Sequence, residues 1–388
     1  MRKNLLVVLQ CLMLLAGCNT PKQPSYQIKI IDIDGQELGC KDIEINSENS
    51  VFEELIENFD VSYTIDSYGP YISSINGSIV DSNYYLAIYQ NGEATATGVD
   101  GLVANVNDVF EFKVECWNTI DSGYGKLDKY DLLVDKVIYS YMKSLDLSSS
   151  TTFVDGTFWD LMTIKIGMEN YYDESIFNYD SISEVVKEQL LSYDVNTLTG
   201  SDLYKFYLYS KATNNSLETL TDYVKSYVTT LEETYNDYVT PFIVAACYGL
   251  NVSSDKIDNL TKLPISENYE WGPDIPVWQY TTSMLYNENI DKSTLTKCVE
   301  SLDYGNSCSN ALVLQAFAAS NENIRDSKYE IDGKDLIEVL FDNYYNEDSN
   351  VLEYSKGVAN VYSTNQTIVS LMAYKVNRDT GKKVNIYG

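Results

Sequence analysis

Two Asn-Gly pairs, Asn76-Gly77 and Asn91-Gly92, close short aromatic runs within residues 68–112. No other feature narrows the fold as far. A two-residue Asn-Gly loop takes positive φ at both positions, and that twist matches the strands of a hairpin. The runs around them read Tyr-Gly-Pro-Tyr-Ile-Ser-Ser-Ile, Tyr-Tyr-Leu-Ala-Ile-Tyr-Gln and Asn-Asp-Val-Phe-Glu-Phe. Strands are predicted over 62–66, 71–75, 84–90 and 109–115, with Gly98-Val-Asp-Gly101 as a further turn. Residues 26–46 alternate about Asp34-Gly35 and predict another hairpin. Asp32, Asp34 and Gly35 begin like a calcium loop, but the later ligands do not follow, so turn chemistry is the better reading. Ser50 with Glu53 three residues on predicts a capped helix over 50–59, with Phe52, Leu55, Ile56 and Phe59 on one face.

From Lys129 the apolar period changes from two to about 3.6. Helices are predicted over 131–145, 158–168, 182–193, 203–212, 217–232, 241–250, 277–286, 293–302, 310–319, 334–345 and 365–375. Five segments, opening near Gly200, Thr240, Ile275, Ser309 and Thr364, share a cap or proline followed by an apolar helix with small residues inside. A helix apolar around most of its girth is buried on both sides. A ring of such helices inside a ring of amphipathic ones is an α/α toroid. An irregular solenoid such as tetratricopeptide repeats is the alternative, but no 34-residue motif is visible. The expected class is therefore α+β and multidomain: a β-rich domain over 26–120, then an all-α toroid over 129–388, joined through Asp121-Ser-Gly-Tyr-Gly-Lys.

The 388 residues carry 27 Lys and Arg against 57 Asp and Glu, a formal net charge of −30. Phosphate backbones need a positive patch, so nucleic acid is a poor partner. Histidine is absent. That removes Ser-His-Asp and Cys-His catalysis and His-containing zinc sites, and leaves carboxylate chemistry open. The 34 tyrosines suit recognition, because tyrosine gives large contact area at low entropic cost.

Residues 1–17 hold a basic start at Arg2 and Lys3 and an apolar run from Leu5 to Leu15, too short to span a bilayer. Leu15-Ala16-Gly17-Cys18 resembles a bacterial lipobox, which implies cleavage before Cys18 and lipidation of that cysteine. The expectation is an extracytoplasmic protein, lipid-anchored to a bacterial cell membrane, with residues 18–25 as a tether. Five cysteines would remain: Cys40, Cys116, Cys247, Cys298 and Cys308. Bridges Cys298–Cys308 and Cys40–Cys116 are conceivable beside buried free thiols.

Gly69-Pro-Tyr-Ile-Ser-Ser-Ile-Asn-Gly77, Tyr84-Tyr85, Tyr89-Gln-Asn-Gly92, Gly98-Val-Asp100 and Asn107-Asp108 resemble the small β domain that closes transcobalamin and intrinsic factor. The likeness extends over about residues 26–117. The helix Ser363-Thr-Asn-Gln-Thr-Ile-Val-Ser-Leu-Met-Ala-Tyr-Lys is similar to the closing helix of toroids of the terpenoid cyclase/prenyltransferase superfold. In transcobalamins the two domains clasp cobalamin, so the resemblance implies a cobalamin or related corrinoid held between them here. Two departures stand out: the domain order is reversed, and no histidine can reach cobalt. Tyr84, Tyr85, Tyr89, Asn91 and Gly92 would line the β side; Trp271, Trp278, Gln279, Asn310 and Asn365 would line the helical side.

The alternative is a surface module that binds a protein or glycan partner without a small-molecule pocket. Catalysis is not expected. The aspartate-rich motifs of terpene cyclases are missing, and a prenyltransferase zinc would need histidine. A two-carboxylate hydrolase could draw on Asp155, Asp160, Asp202 or Asp274.

Overall fold

The computed structural model describes residues 23–33, 35–45, 49–67, 69–78, 84–116, 127–145, 157–171, 188, 194, 198–213, 218–232, 234, 236–270, 272–302 and 306–388. The expected signal segment with Cys18, Asp155, Trp271 and, apart from Glu188, the helix expected over 182–193 lie outside them. The chain divides into two units, Met1–Trp117 and Asn118–Gly388. The first is β-rich and the second mostly helical, so the class is α+β.

The first unit begins with β1 (Ser25–Ile31) and β2 (Glu37–Glu44), paired antiparallel about the predicted Asp-Gly turn. Asp32 builds that turn itself: its carbonyl accepts from Gly35 at 2.9 Å and its carboxylate from Ile33 at 2.9 Å. Helix α1 (Val51–Asn58) has the expected Ser50–Glu53 capping box. β3 (Val61–Asp66) and β4 (Gly69–Ile75) form their own two-stranded sheet. β5 (Tyr84–Gln90), the short β6 (Glu93–Ala94) and β7 (Val109–Cys116) complete a five-stranded sheet of order β2-β1-β7-β5-β6. β1 and β7 pair in parallel, from Gln27 opposite Val109 to Ile31 opposite Lys113. Alternation then sends Tyr26, Ile28 and Ile30 with Phe110 and Phe112 into one core, against Leu55, Ile72 and Ile75. Asn76, Gly77, Asn91 and Gly92 have φ of 50°, 76°, 56° and 83°, the values that a type I′ turn requires.

The second unit contains helices α2 (Lys129–Ser144), α3 (Thr157–Asn170), α4 (Gly200–Thr213), α5 (Glu218–Thr230) and α6 (Thr240–Gly249). There follow α7 (Asp255–Leu260), α8 (Asp274–Ser283), α9 (Ser293–Glu300), α10 (Ser307–Ser320) and α11 (Leu336–Tyr344). The two-residue strands β8 (Tyr345–Asn346) and β9 (Val351–Leu352) precede α12 (Val361–Thr380). Helix α3 packs on α4, α4 on α6, α6 on α8, α8 on α10, α10 on α12, and α12 returns to α3. Six helices thus close a ring. α2, α5, α7, α9 and α11 pack against its outside. The five repeated segments all fall in the ring. Residues 311–319 of α10 and 363–377 of α12 are buried throughout, as expected of helices covered on both sides.

A belt of buried charge fastens α2, the first described helix of this unit, to α12, the last. Arg378 bonds Asp135 at 2.8 Å, Asp379 at 2.7 Å and Asp131 at 3.3 Å. Lys375 lies 3.2 Å from both Asp135 and Asp379. Arg325 reaches Asp128, Asp131 and Asp335 at 2.5, 2.9 and 2.7 Å. Asp128 and Asp335 also cap α2 and α11, so one guanidinium ties two helix starts together. Burial pushes the Asp379 carboxyl up, but Arg378 and Lys375 outweigh it and hold it at about 2.

Neither conceivable disulfide forms; Cys40, Cys298 and Cys308 carry free thiols, the better of the two readings. Register explains the first case. Cys40 is opposite Lys29, and Lys29 opposite Glu111, five residues along β7 from Cys116. At about 3.3 Å per residue that is beyond disulfide reach.

A candidate site in the mouth of the helical ring

The ring helices run parallel, since their starts contact one another and so do their ends. At the starting end, Tyr204 of α4 packs on Phe242 of α6 with ring centroids 5.4 Å apart, and Phe242 on Trp278 of α8, also at 5.4 Å. Asp274 in the first turn of α8 lies near Ser309 of α10, whose side chain favours its charged form. At the finishing end, Tyr280 and Ser320 share a hydrogen bond of 3.1 Å, and Asn377 donates to Asn321 at 2.6 Å.

The segment 382–388 closes the finishing end. The Val384 amide donates to the Ala318 carbonyl at 3.0 Å, and the Asn385 side chain to the Thr281 carbonyl at 2.9 Å. These bonds thread Tyr387 into the ring, fully buried, where it stacks on Tyr204 at 5.7 Å and donates to Gln315 Oε1 at 3.0 Å. Burial raises the Tyr387 phenol, and Tyr362 and Asp274 raise it further. Trp278 lies close enough to its hydroxyl to offset part of that rise. Tyr387 is thus a floor that touches several walls.

Above it stand Tyr204, Phe242, Trp278 and Tyr362, with the Asp274 carboxyl among them. Two polar atoms here have no hydrogen-bond partner in the protein: Tyr204 OH and Asp274 Oδ1, both buried. Burial raises the Asp274 carboxyl; the nearby Ser309 side chain offsets only part of that. Tyr362 is 43% exposed, so this wall opens to solvent. The same end carries exposed Tyr238, Val358 and Val361. An aromatic enclosure with one buried acceptor can hold a ligand that presents an apolar face and a donor or positive charge.

The residues expected from sequence divide sharply. Trp278 stands in the mouth. Gln279 does not: its amide nitrogen donates to the Pro264 carbonyl at 2.9 Å and its oxygen accepts from the Ser266 amide at 2.6 Å, pinning the loop before α8. Asn310 donates to the Asn306 carbonyl at 2.6 Å and the Tyr344 hydroxyl at 3.2 Å, which turns it toward α11; its Oδ1 has no partner.

Asn365 belongs to a closed triangle. The Tyr141 hydroxyl lies 2.8 Å from Asp160 Oδ1 and 2.5 Å from Asn365 Oδ1, while Asn365 Nδ2 lies 3.1 Å from Asp160 Oδ2. Three contacts need three hydrogens. Tyr141 supplies one and the Asn365 amide another, whichever way that amide is turned. The third must sit on Asp160. Asp160 is 4% exposed, and burial raises its carboxyl to about 7 despite the Tyr141 hydrogen bond.

On the β side, Tyr85 and Tyr89 donate to one carboxylate, Glu115, at 3.2 and 2.7 Å. Tyr84 is buried at 4% exposure. The Asn91 side chain donates to Asp108 at 2.8 Å and accepts from the Val109 amide at 2.9 Å, so with Gly92 it shapes the turn. Of the candidate carboxylates, Asp202 accepts from the Thr199 amide and hydroxyl at 3.0 and 2.6 Å and fixes the start of α4. Asp160 and Asp274 keep different company, one facing α2 and α12, the other α10 and the ring axis. Sequence reasoning missed Tyr204, Phe242, Tyr362 and Tyr387. The first three fall within the first turns of ring helices, the one signal that could have found them. Among the described residues, no group of three Cys, Asp or Glu side chains is placed to hold a metal, and no helix is long and apolar enough to cross a membrane.

The profile of a family described as a domain of unknown function, DUF4430, matches residues 48–115, all within the β-rich unit. Comparison with curated proteins gives no match. A crystal structure of a protein from Ruminococcus gnavus, described as a candidate metal binding protein, aligns at 19% identity. The alignment covers 24% of this chain and 98% of that one, with a TM-score of 0.22. A likeness at that level says nothing about metal binding in this chain.

Proposed function

We propose that this chain is an extracytoplasmic lipoprotein that captures a small ligand in the mouth of its helical ring, by binding and not by catalysis. One observation carries the reading: Tyr204 OH and Asp274 Oδ1 are buried without a protein partner inside an aromatic enclosure. Leaving such atoms unpaired costs about 1–3 kcal/mol each, a cost that a bound donor would remove. The lipobox-like Leu15-Ala16-Gly17-Cys18 supports the location. The transcobalamin-like pattern of residues 69–108 makes a corrinoid the first ligand class to try. Its flat, amide-fringed ring would present apolar faces to Phe242, Trp278 and Tyr362 and amide donors to Asp274.

Titration with cobalamin and cobinamide, followed by tryptophan fluorescence, tests the finer claim. Saturation at micromolar ligand is expected, weakened about 10- to 100-fold by Asp274→Asn. No response at millimolar corrinoid would remove that class. A thermal-shift panel of small molecules tests the broader claim. If Trp278→Ala and Asp274→Asn respond to every stabilising compound as the wild type does, the mouth is not the site.

A second reading rests on the β3–β4 hairpin. Ile65, Tyr71 and Tyr63 are 71%, 54% and 39% exposed on this small sheet. Exposed aromatic and branched side chains on a two-stranded sheet suit a protein or glycan partner. Ile65→Lys with Tyr71→Lys would abolish such binding and leave the ring's ligand untouched.

A further inference from the structure

At the finishing end of the ring the sign of the charge reverses. A cavity of about 300 Å³ lies between the last turns of α3 and α4 and the segment 382–386. Lys165, Lys211, Lys382 and Lys383 line it, with Glu169 as the one acid among the described lining residues. Across the chain acids outnumber bases 57 to 27, so four lysines around one cavity invert the local balance. Two of them are neutralised: Lys165 pairs with Glu169 at 2.9 Å and Lys383 with Glu288 at 3.0 Å. Among the described residues, the ammonium groups of Lys211 and Lys382 have no hydrogen bond or ion pair.

Lysines near helix ends are common, because they offset the negative end of the helix dipole. An exposed lysine does that at no cost. Lys211 is half-buried, and burial depresses its amine to about 8, with Glu169 opposing and Lys165 assisting. A cation held in such a place without a partner is destabilising unless something anionic joins it.

We propose that this cavity binds a small oxyanion carrying at least two negative charges, a phosphate or a di- or tricarboxylate, with Lys211 and Lys382 as its direct contacts. One charge could be met by a single ammonium; two lysines without ion-pair partners among the described residues, Lys211 half-buried and Lys382 exposed, line one cavity and favour a dianion. The site is separate from the mouth, where the exposed groups named above are aromatic and aliphatic.

The test is amine acylation of the full chain at pH 8, read by peptide mass spectrometry, with chloride at matched ionic strength as reference. The probes are inorganic phosphate and citrate, and the exposed Lys356 is the internal control. At ten times the dissociation constant, the bound anion should slow Lys211 modification about tenfold and leave Lys356 unchanged. Protection by phosphate alone or by citrate alone supports the site and names the chemistry. Equal rates at Lys211 with chloride, phosphate and citrate overturn it. Lys211→Met removes an unpartnered charge and should fold; it should lose the anion-dependent rise in Tm. A full rise in that variant would also overturn the proposal.

Discussion

Two places in the helical unit that bury aspartate treat the same problem in opposite ways. In the belt between α2 and α12, Asp131, Asp135 and Asp379 are matched to Arg378 and Lys375, and Asp379 is held at about 2. In the triangle of Tyr141, Asp160 and Asn365 no cation is paired with Asp160 among the described residues, and its carboxyl is raised to about 7. Burial is similar: Asp160 is 4% exposed and Asp135 2%. Burial alone therefore does not set the charge of a carboxylate. The partner does, and it must also complete the count of hydrogens.

The sharpest way to break the comparison is to remove the belt's most connected buried cation. Arg378→Met leaves the buried Asp131, Asp135 and Asp379 one guanidinium short, with Arg325 and Lys375 as their remaining cations. A loss of about 3–5 kcal/mol is expected in urea denaturation followed by helical circular dichroism. A loss below about 1 kcal/mol would mean that the belt is solvated.

The next largest effect is a slope with pH. The folded state keeps the Asp160 proton up to about pH 7, whereas the unfolded chain releases it near the ordinary 3.8. The unfolded state then binds fewer protons between these values, so stability falls as pH rises from about 4 to 7 and levels off above. The difference is worth about 4 kcal/mol at most. Asp160→Asn is a neutral isostere that still completes the triangle, so it should flatten this limb and be the more stable form at pH 8. An unchanged limb would place Asp160's charge outside the explanation.

Asp379 carries the opposite sign. Its folded value of about 2 lies below the ordinary 3.8, so its contribution is present above about pH 4 and is lost as pH falls through 2. Asp379→Asn should cost about 2 kcal/mol at neutral pH and remove part of the acid limb. The same denaturation series at pH 2–4 reads it.

This contrast was invisible in the sequence, and the reason is distance along the chain. Tyr141 and Asn365 are 224 residues apart, and Arg378 meets Asp135 across 243. Local signals fared better. The Asn-Gly turns, the Ser50–Glu53 box and the apolar character of α4, α6, α8, α10 and α12 depend on neighbours within a few residues, and each could be read directly. The parallel pairing of β1 with β7 could not, because it joins residues about eighty apart with no turn to announce it. Short α7 escaped for a different reason: six residues cannot display a period of 3.6. At the mouth, Trp278 was found because tryptophan is conspicuous beside two prolines. Tyr204 and Tyr387 were not, since in a chain with 34 tyrosines a single one carries no signal.

The smallest effect separates a proton held by geometry from one held by burial alone. Tyr141→Phe removes one hydrogen from the triangle and leaves the carboxyl and the amide in place. The Tyr141 hydrogen bond favours the charged form of Asp160, so its loss should move the midpoint of the pH limb above 7 at a cost of about 1 kcal/mol. In the Asp160→Asn background the same change should cost stability without moving any midpoint, because no proton remains to titrate. If Tyr141→Phe lowers the midpoint instead, the neutral carboxyl depends on donating to the phenol oxygen. Hydrogen count, more than desolvation, would then be what keeps Asp160 protonated.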